Sequence, residues 1–417
     1  MMTAIRTAIH TDIRTDIHKV SPYSVLMVAV MGLVGCSADE EAAPLTEGSM
    51  VELTSYVAGY EEAKRANGSN EANGANGADE VTRAWTPPSG YSLYGDAEKS
   101  IGVFFTQNPA AAGGYEEESF YKSSGKWRVS LKDDELKAES YFLYGYVPRD
   151  NSITSTVSLL EGEGKTFADG AVLTLNNVPT VSNADFCVII GAKNGTSDSN
   201  DGGLTRGQFE YVAKPTSGAG SGSNYVYLLF DHLFSALRVQ MRVQGDYAAL
   251  RTIKLKSLHL QAKAGDDATK KKTDISITLN KTTDGSSPIA KDNKGNEMIT
   301  YTPTGTEESD GTIVESTDGI GLTTDYQTFQ SHFMPQGITD LVLTSTYDIY
   351  DNDSEGHARN LIRQGCTATN KINIKKLFSG QTEALRGRRY TIMMTINPTY
   401  LYVLSEPDLD NPTVVVN

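Results

Sequence analysis

The chain has 417 residues and carries 37 basic against 52 acidic side chains, a formal net charge of −15. A surface this acidic excludes nucleic-acid binding by counterion release, which needs clustered cations, and the charge is better taken as solubility. The length allows two domains with sizeable cores once a leader is set aside.

The first element is an apolar run, Val25 to Val34, preceded by Arg14, His18 and Lys19. About ten residues is half of the roughly twenty that cross a bilayer, so residues 1–35 are expected to be a signal peptide. Asp12 and Asp16 lengthen its front, which leaves a downstream start codon open. Leu33-Val34-Gly35-Cys36 has the form of a bacterial lipobox, so Cys36 is expected to take lipid and become the new N-terminus. An acidic tether follows (Asp39, Glu40, Glu41), then a short strand from Met50 to Val57 with Val51, Leu53 and Val57 on one side of a period-2 pattern. From Glu61 to Asp79 the chain is mostly Asn, Gly, Ala and Glu, and it then ends in Val81-Thr82-Arg83, so this linker carries Arg65 and Arg83. A lone strand on an arginine-bearing linker is the pattern of a strand built to be removed.

From Ala84 onward the periodicity is β throughout. Ile101–Phe105 is a strand, and Phe120–Lys122 and Lys126–Val129 flank a Ser-Ser-Gly turn as a hairpin. Tyr141–Val147, Ala171–Leu175 and Cys187–Ile190 continue at the spacing of a sandwich. The nearly all Ser and Gly stretch from Thr216 to Asn224 is expected to be a domain boundary or a long hairpin loop. Tyr225–Phe230 is expected to open a second domain. Leu237, Val239, Met241 and Val243 then alternate with polar residues as a half-buried strand. Ile253–Leu260, Ile275–Leu279, Leu341–Tyr347 and Tyr390–Ile396 are further strands, and Ala248–Leu250 is a short helical turn. Asp310–Gly319 and Asp351–Gly356 are expected to be polar connections. The chain ends on Pro398–Leu404, a polar segment with two prolines, and Val414, Val415, Val416. Consecutive valines at a terminus call for a sheet edge to join.

Candidate chemistry is sparse. There is no Gly-x-Ser-x-Gly elbow, phosphate loop or dinucleotide fingerprint. Of the six histidines, His10 and His18 leave with the signal, and His232, His259, His332 and His357 show no two-ligand zinc spacing. His232 and His259 fall in strands and are taken as structural. Asp351 to Glu355 lacks EF-hand spacing and is taken as a solvated turn. Asn194-Gly195-Thr196 is taken as a loop, and Cys187 and Cys366 as unpaired thiols. No enzyme activity, cofactor or metal is therefore expected.

The tether and first strand (Glu41 to Gly48, then Met50 to Val57), the Arg-Ala pair after them, Gly102–Phe105 and Gly387–Ile396 together resemble the fimbrillins, subunits of type V pili. His232–Val239 is similar to the strand that opens that family's C-terminal domain. The resemblance implies an all-β protein of two tandem β-sandwich domains (transthyretin-like, Greek-key), at 84–224 and 225–397, behind a lipidated tether, strand and linker at 36–83. It further implies an outer-membrane lipoprotein precursor, cleavage after an arginine, departure of the first strand, and a donor segment at 398–417 from a neighbouring subunit. Both Arg65-Ala66 and Arg83-Ala84 offer the bond; Arg83 is preferred because it adjoins the first folded strand after the Gly/Asn linker. The donor side chains would be Tyr400, Tyr402, Leu404, Val414, Val415 and Val416. Partners implied are other subunits of a fimbria on the cell surface, a processing protease and membrane lipid through Cys36, with adhesion to a host or microbial surface as the role. Whether the subunit is stalk, tip or anchor stays open. The rival reading is a surface lipoprotein that binds glycans through exposed Trp85, Tyr94, Tyr115 and Trp127 and never polymerises.

Overall fold

The computed structural model describes residues 49–66, 89–94, 99–123, 126–131, 140–195, 203–213 and 224–396. Cys36, Arg83, Trp85 and the donor candidates Tyr400, Tyr402, Leu404, Val414, Val415 and Val416 lie outside the described residues.

The described chain is almost entirely β. It begins with β1 (Ser49–Ala58), β2 (Glu61–Glu62), β3 (Tyr91–Leu93), β4 (Ser100–Thr106), β5 (Glu117–Ser123) and β6 (Lys126–Leu131). Then come β7 (Ser140–Arg149), β8 (Thr154–Ser158), β9 (Gly170–Pro179), β10 (Cys187–Asn194), β11 (Glu210–Val212) and β12 (Asn224–His232). Next are β13 (Ser235–Val243), α1 (Gly245–Ala248), β14 (Arg251–Ala264), β15 (Asp267–Ala268), β16 (Lys270–Asn280) and β17 (Ile299–Glu308). The remainder is β18 (Gly311–Gly321), β19 (Gln327–Thr328), β20 (His332–Met334), β21 (Asp340–Asn352), β22 (Ala358–Asn373), α2 (Ile374–Leu377) and β23 (Arg388–Ile396).

The largest sheet runs β10-β12-β1-β6-β5-β4-β7-β11, with β3 beside β1. β10 also pairs with β7 through Cys187↔Val147 and Val188↔Tyr146, so the path from β10 round to β7 closes on itself. Close approach within it is set by glycine: a Cβ on Gly145 would overlap the Gly102 carbonyl of the facing strand. A second sheet, β17-β16-β9-β8, shares its core, where Leu173, Ile277 and Leu279 join Leu53, Phe104 and Leu228.

A separate core lies between the remaining sheets, β19-β13-β23-β2 with β20 on β13, and β15-β14-β21-β22 with β18 on β14. Leu237, Val239, Leu258, Leu260, Leu343 and Tyr390 are buried in it. The alternation of β13, and of β14 on either side of a register shift between Leu255 and Ser257, follows from one face packing there.

Two expectations are corrected. The boundary expected at residue 224 is crossed, because β12 sits inside the first sheet and β16 returns to the first core. Tyr225–Phe230 is apolar at every position because both its faces are covered, with all six residues buried. Asp310–Gly319, expected as a connection, lies largely in strand β18, where only Ile313 and Val314 are buried hydrophobics and most other side chains face out.

Candidate assembly site

β1 is an inner strand. It runs parallel to β12 from Val51↔Asn224 to Val57↔Phe230 and antiparallel to β6 from Ser49↔Leu131 to Leu53↔Trp127. Towards its end Tyr56, Val57 and Ala58 pair with β3 instead. Both edges of its backbone are therefore satisfied by the rest of the chain.

Of the predicted displaced side chains, Val51 is 0% and Leu53 1% exposed, and Val57 is half-buried against the same core. The core face also holds Ser55, whose Oγ is buried with no hydrogen-bond partner among the described residues. A buried hydroxyl left unpaired costs about 1–3 kcal/mol. The opposite face is covered too, which period-2 reasoning missed. There Thr54 Oγ1 lies 2.5 Å from the Tyr225 hydroxyl, and Tyr56 stacks on Tyr227 with centroids 6.3 Å apart. The signal for this second buried face was Tyr56 itself, an aromatic on the side opposite Val51, Leu53 and Val57.

Glu52 on that face accepts from Lys126 Nζ and Arg128 Nε, each at 2.9 Å. Burial pushes its carboxyl up, but the hydrogen bonds and charges of Lys126 and Arg128 outweigh that and hold it below its ordinary value.

Beyond β1 the segment continues onto the second core. Tyr60 stacks on His232 at 3.6 Å between centroids and donates to Asp185 Oδ1 at 2.6 Å. Burial, then the Asp185 charge, raises its phenol well above the ordinary range. Glu61 and Glu62 pair in parallel with Arg388 and Arg389 of β23, and Ala63 is buried in the second core. Arg65 bridges Phe378, its guanidinium donates to the Thr391 carbonyl at 2.7 Å, and Ala66 N–H donates to the Leu377 carbonyl at 3.1 Å. The first of the two predicted cleavage arginines is thus pinned on both its backbone and its side chain.

The described aromatics of the glycan reading, Tyr94, Tyr115 and Trp127, are committed elsewhere. Trp127 is 3% exposed, and Tyr94 stacks on it at 6.0 Å. The Tyr115 hydroxyl accepts from Gln107 and Ala111 N–H, and its ring meets Phe167 edge-on. Asp353 caps its own turn by accepting from Glu355 and His357 N–H, while Asp351 pairs with Arg251 and Arg359. The thiols of Cys187 and Cys366 are free.

No family model matches the chain, and no curated protein matches it. Among solved structures it is similar to a protein assigned to cell adhesion from Bacteroides uniformis, at 11% identity and a TM-score of 0.33, over 84% of this chain and 93% of that one. A fimbrial protein from Bacteroides vulgatus matches at 14% identity and a TM-score of 0.33, over 73% and 90%. The fimbrial anchor protein Mfa2 from Porphyromonas gingivalis matches at 9% identity and a TM-score of 0.25, over 82% and 90%.

Proposed function

We propose that this chain is a structural subunit of a cell-surface pilus, exported as an outer-membrane lipoprotein through Cys36 and polymerised by strand exchange after proteolysis. The observation that carries the reading is the placement of β1: the first described strand is an inner member of the largest sheet, held on both edges by later strands. The chain between residues 66 and 89 then connects it to the rest. A cut in that connection converts β1 from part of the chain into a noncovalent ligand.

Removing β1 exposes the free edges of β12 and β6 and a slot lined by core side chains. Burial of Val51, Leu53 and Tyr56 stabilises the closed slot by about 1.5–3 kcal/mol each before ordering costs. An incoming strand recovers both the ladder and the burial, which is strand addition of the donor-strand type. Ser55 makes β1 an imperfect occupant, so an apolar side chain at that depth is a better one. The donor in this reading is residues 398–417 of a second copy. Slot and donor are different surfaces, so the contact is heterologous and propagates head to tail.

The cut is placed after Arg83, with Arg65 as the alternative, because a protease that reads arginine needs the guanidinium that Arg65 has given to Thr391. Adhesion is the role of the resulting filament. Incubating the full chain with trypsin tests the reading. One N-terminus at Ala84 or Ala66 followed by a ladder of oligomers is expected; a trimmed chain that stays monomeric overturns it.

A further inference from the structure

A second cluster of chemistry-bearing side chains sits where β10 and β12 meet. Cys187 and His232 are directly opposed in the β10–β12 register, and Asp185 precedes Cys187 by two residues. His232 and Cys187 are 2% and 1% exposed.

The ring's hydrogen bonds set its protonation. His232 Nε2 lies 2.6 Å from the Ala58 carbonyl oxygen. A carbonyl only accepts, so Nε2 carries the proton and Nδ1 in the neutral ring is a lone pair. That lone pair faces Cys187 Sγ at 3.4 Å and Asp185 Oδ1 at 3.1 Å, and Sγ is 3.7 Å from the same Oδ1. Oδ1 already accepts from the Tyr60 hydroxyl at 2.6 Å. Three electron-donating atoms thus converge on one point, within 4.8 Å of one another.

We infer that Asp185, Cys187 and His232 bind a thiophilic divalent cation of the zinc class, through Oδ1, Sγ and Nδ1. A tetrahedral zinc ion with bonds of about 2.0–2.3 Å sets donor–donor edges of about 3.3–3.6 Å. The observed separations of 3.1, 3.4 and 3.7 Å straddle that range. On binding, the Cys187 thiol loses its proton to solvent, and one thiolate plus one carboxylate neutralise the dication, which keeps the buried site uncharged. The Nε2–H···O=C bond to Ala58 is the outer contact that orients a metal-bound imidazole, and the Tyr60 hydroxyl does the same for the carboxylate. Three protein ligands leave the fourth position to a solvent molecule. A second ring proton would also satisfy Nδ1 against Oδ1, but a proton has no use for the thiol; dependence on Cys187 separates the two.

The test uses the full chain with β1 in place, so it is independent of the assembly reading. The chelator-stripped protein, kept reduced, is dialysed against zinc sulfate and its metal measured, then titrated with cobalt chloride. One zinc per chain is expected, with a thiolate-to-cobalt charge-transfer band in the near ultraviolet. Cys187→Ser and Asp185→Asn are expected to lose zinc at least tenfold more readily, while Cys366→Ser behaves as the parent. A parent chain without a thiolate band overturns the inference even if the variants fail to fold. So does zinc retained equally by folded Cys187→Ser.

Discussion

Strands β1 and β23 make an instructive pair, because each lies parallel to a partner in a mostly antiparallel protein. β1 follows β12 through seven registered pairs and β23 follows β13 through eight. β1 is enclosed along both edges, whereas among the described residues β23 has the two-residue β2 as the one strand on its other side. By enclosure alone β1 would be the more permanent strand, yet the polar accounting reverses the order. Among the described residues, Ser55 Oγ on β1 is buried without a partner, and so is Arg389 Nε on β23. Arg389 still reaches Glu62 through Nη1 at 3.3 Å, whereas Ser55 has no second side-chain polar group to use. Tyr390 on β23 accepts from Leu385 N–H at 3.0 Å and donates to the Glu383 carbonyl at 3.3 Å.

The entrance to β23 is also tied down. Arg386 makes a two-pronged pair with Glu297 at 2.5 and 2.6 Å, and it donates to Asp231 and the His232 carbonyl. Burial works against its charge, but Glu297 and Asp231 overcome that and hold it protonated. In the proposed reading the internal strand is the replaceable one, because its buried hydroxyl stays idle and no charged tie like that of Arg386 anchors it to the second core.

The contrast can be broken most forcefully at the tie. Arg386→Met leaves Glu297 and Asp231 without their cation, and a buried pair deprived of one partner costs about 3–5 kcal/mol. A large drop in the thermal unfolding midpoint of the untrimmed chain is expected. Leu53→Ala removes a fully buried side chain from β1 and costs about 2–5 kcal/mol. Its distinguishing readout is kinetic: trypsin-treated Leu53→Ala should lose the β1 peptide and oligomerise faster than the parent.

Ser55→Ala sharpens the comparison in the other direction. Deleting an unpaired buried hydroxyl should stabilise the precursor by about 1 kcal/mol and slow the appearance of oligomers after cleavage. Glu52→Gln is the mildest, under about 1 kcal/mol for pairs this close to the surface. Because the folded Glu52 carboxyl is held below its ordinary value near 4.5, its contribution is full above that value and disappears as the pH falls through the lowered one. Spontaneous β1 release from the trimmed chain should accelerate on acidification through that window in the parent and much less in Glu52→Gln.

Strands with a buried face were legible: β13 and β14 appear in the residues as alternation, β4, which is covered on both faces, appears as an apolar run, and the Ser-Ser-Gly hairpin falls between β5 and β6. β17, β18 and β22 were not legible, because most of their side chains are exposed and the period-2 signal needs a buried face. β22 is 16 residues long and exposed at most of them. Val51 and Leu53 could be picked out as buried, whereas the second covered face of β1 depends on Tyr225 and Tyr227, set by a register some 170 residues away. His232 looked structural for the same reason: its neighbours Asp185 and Cys187 arrive only by cross-strand pairing.

The central claim is that β1 occupies a slot which a strand from another chain can take. A chain ending at Asn397 is trimmed with trypsin and offered a synthetic peptide of residues 398–417, and amide exchange is followed at Asn224–Phe230 of β12. The account predicts that the peptide binds the trimmed chain, displaces the β1 fragment and maintains protection along β12, and does not bind the untrimmed chain. A peptide that binds both forms alike, or that leaves β1 in place, would contradict it.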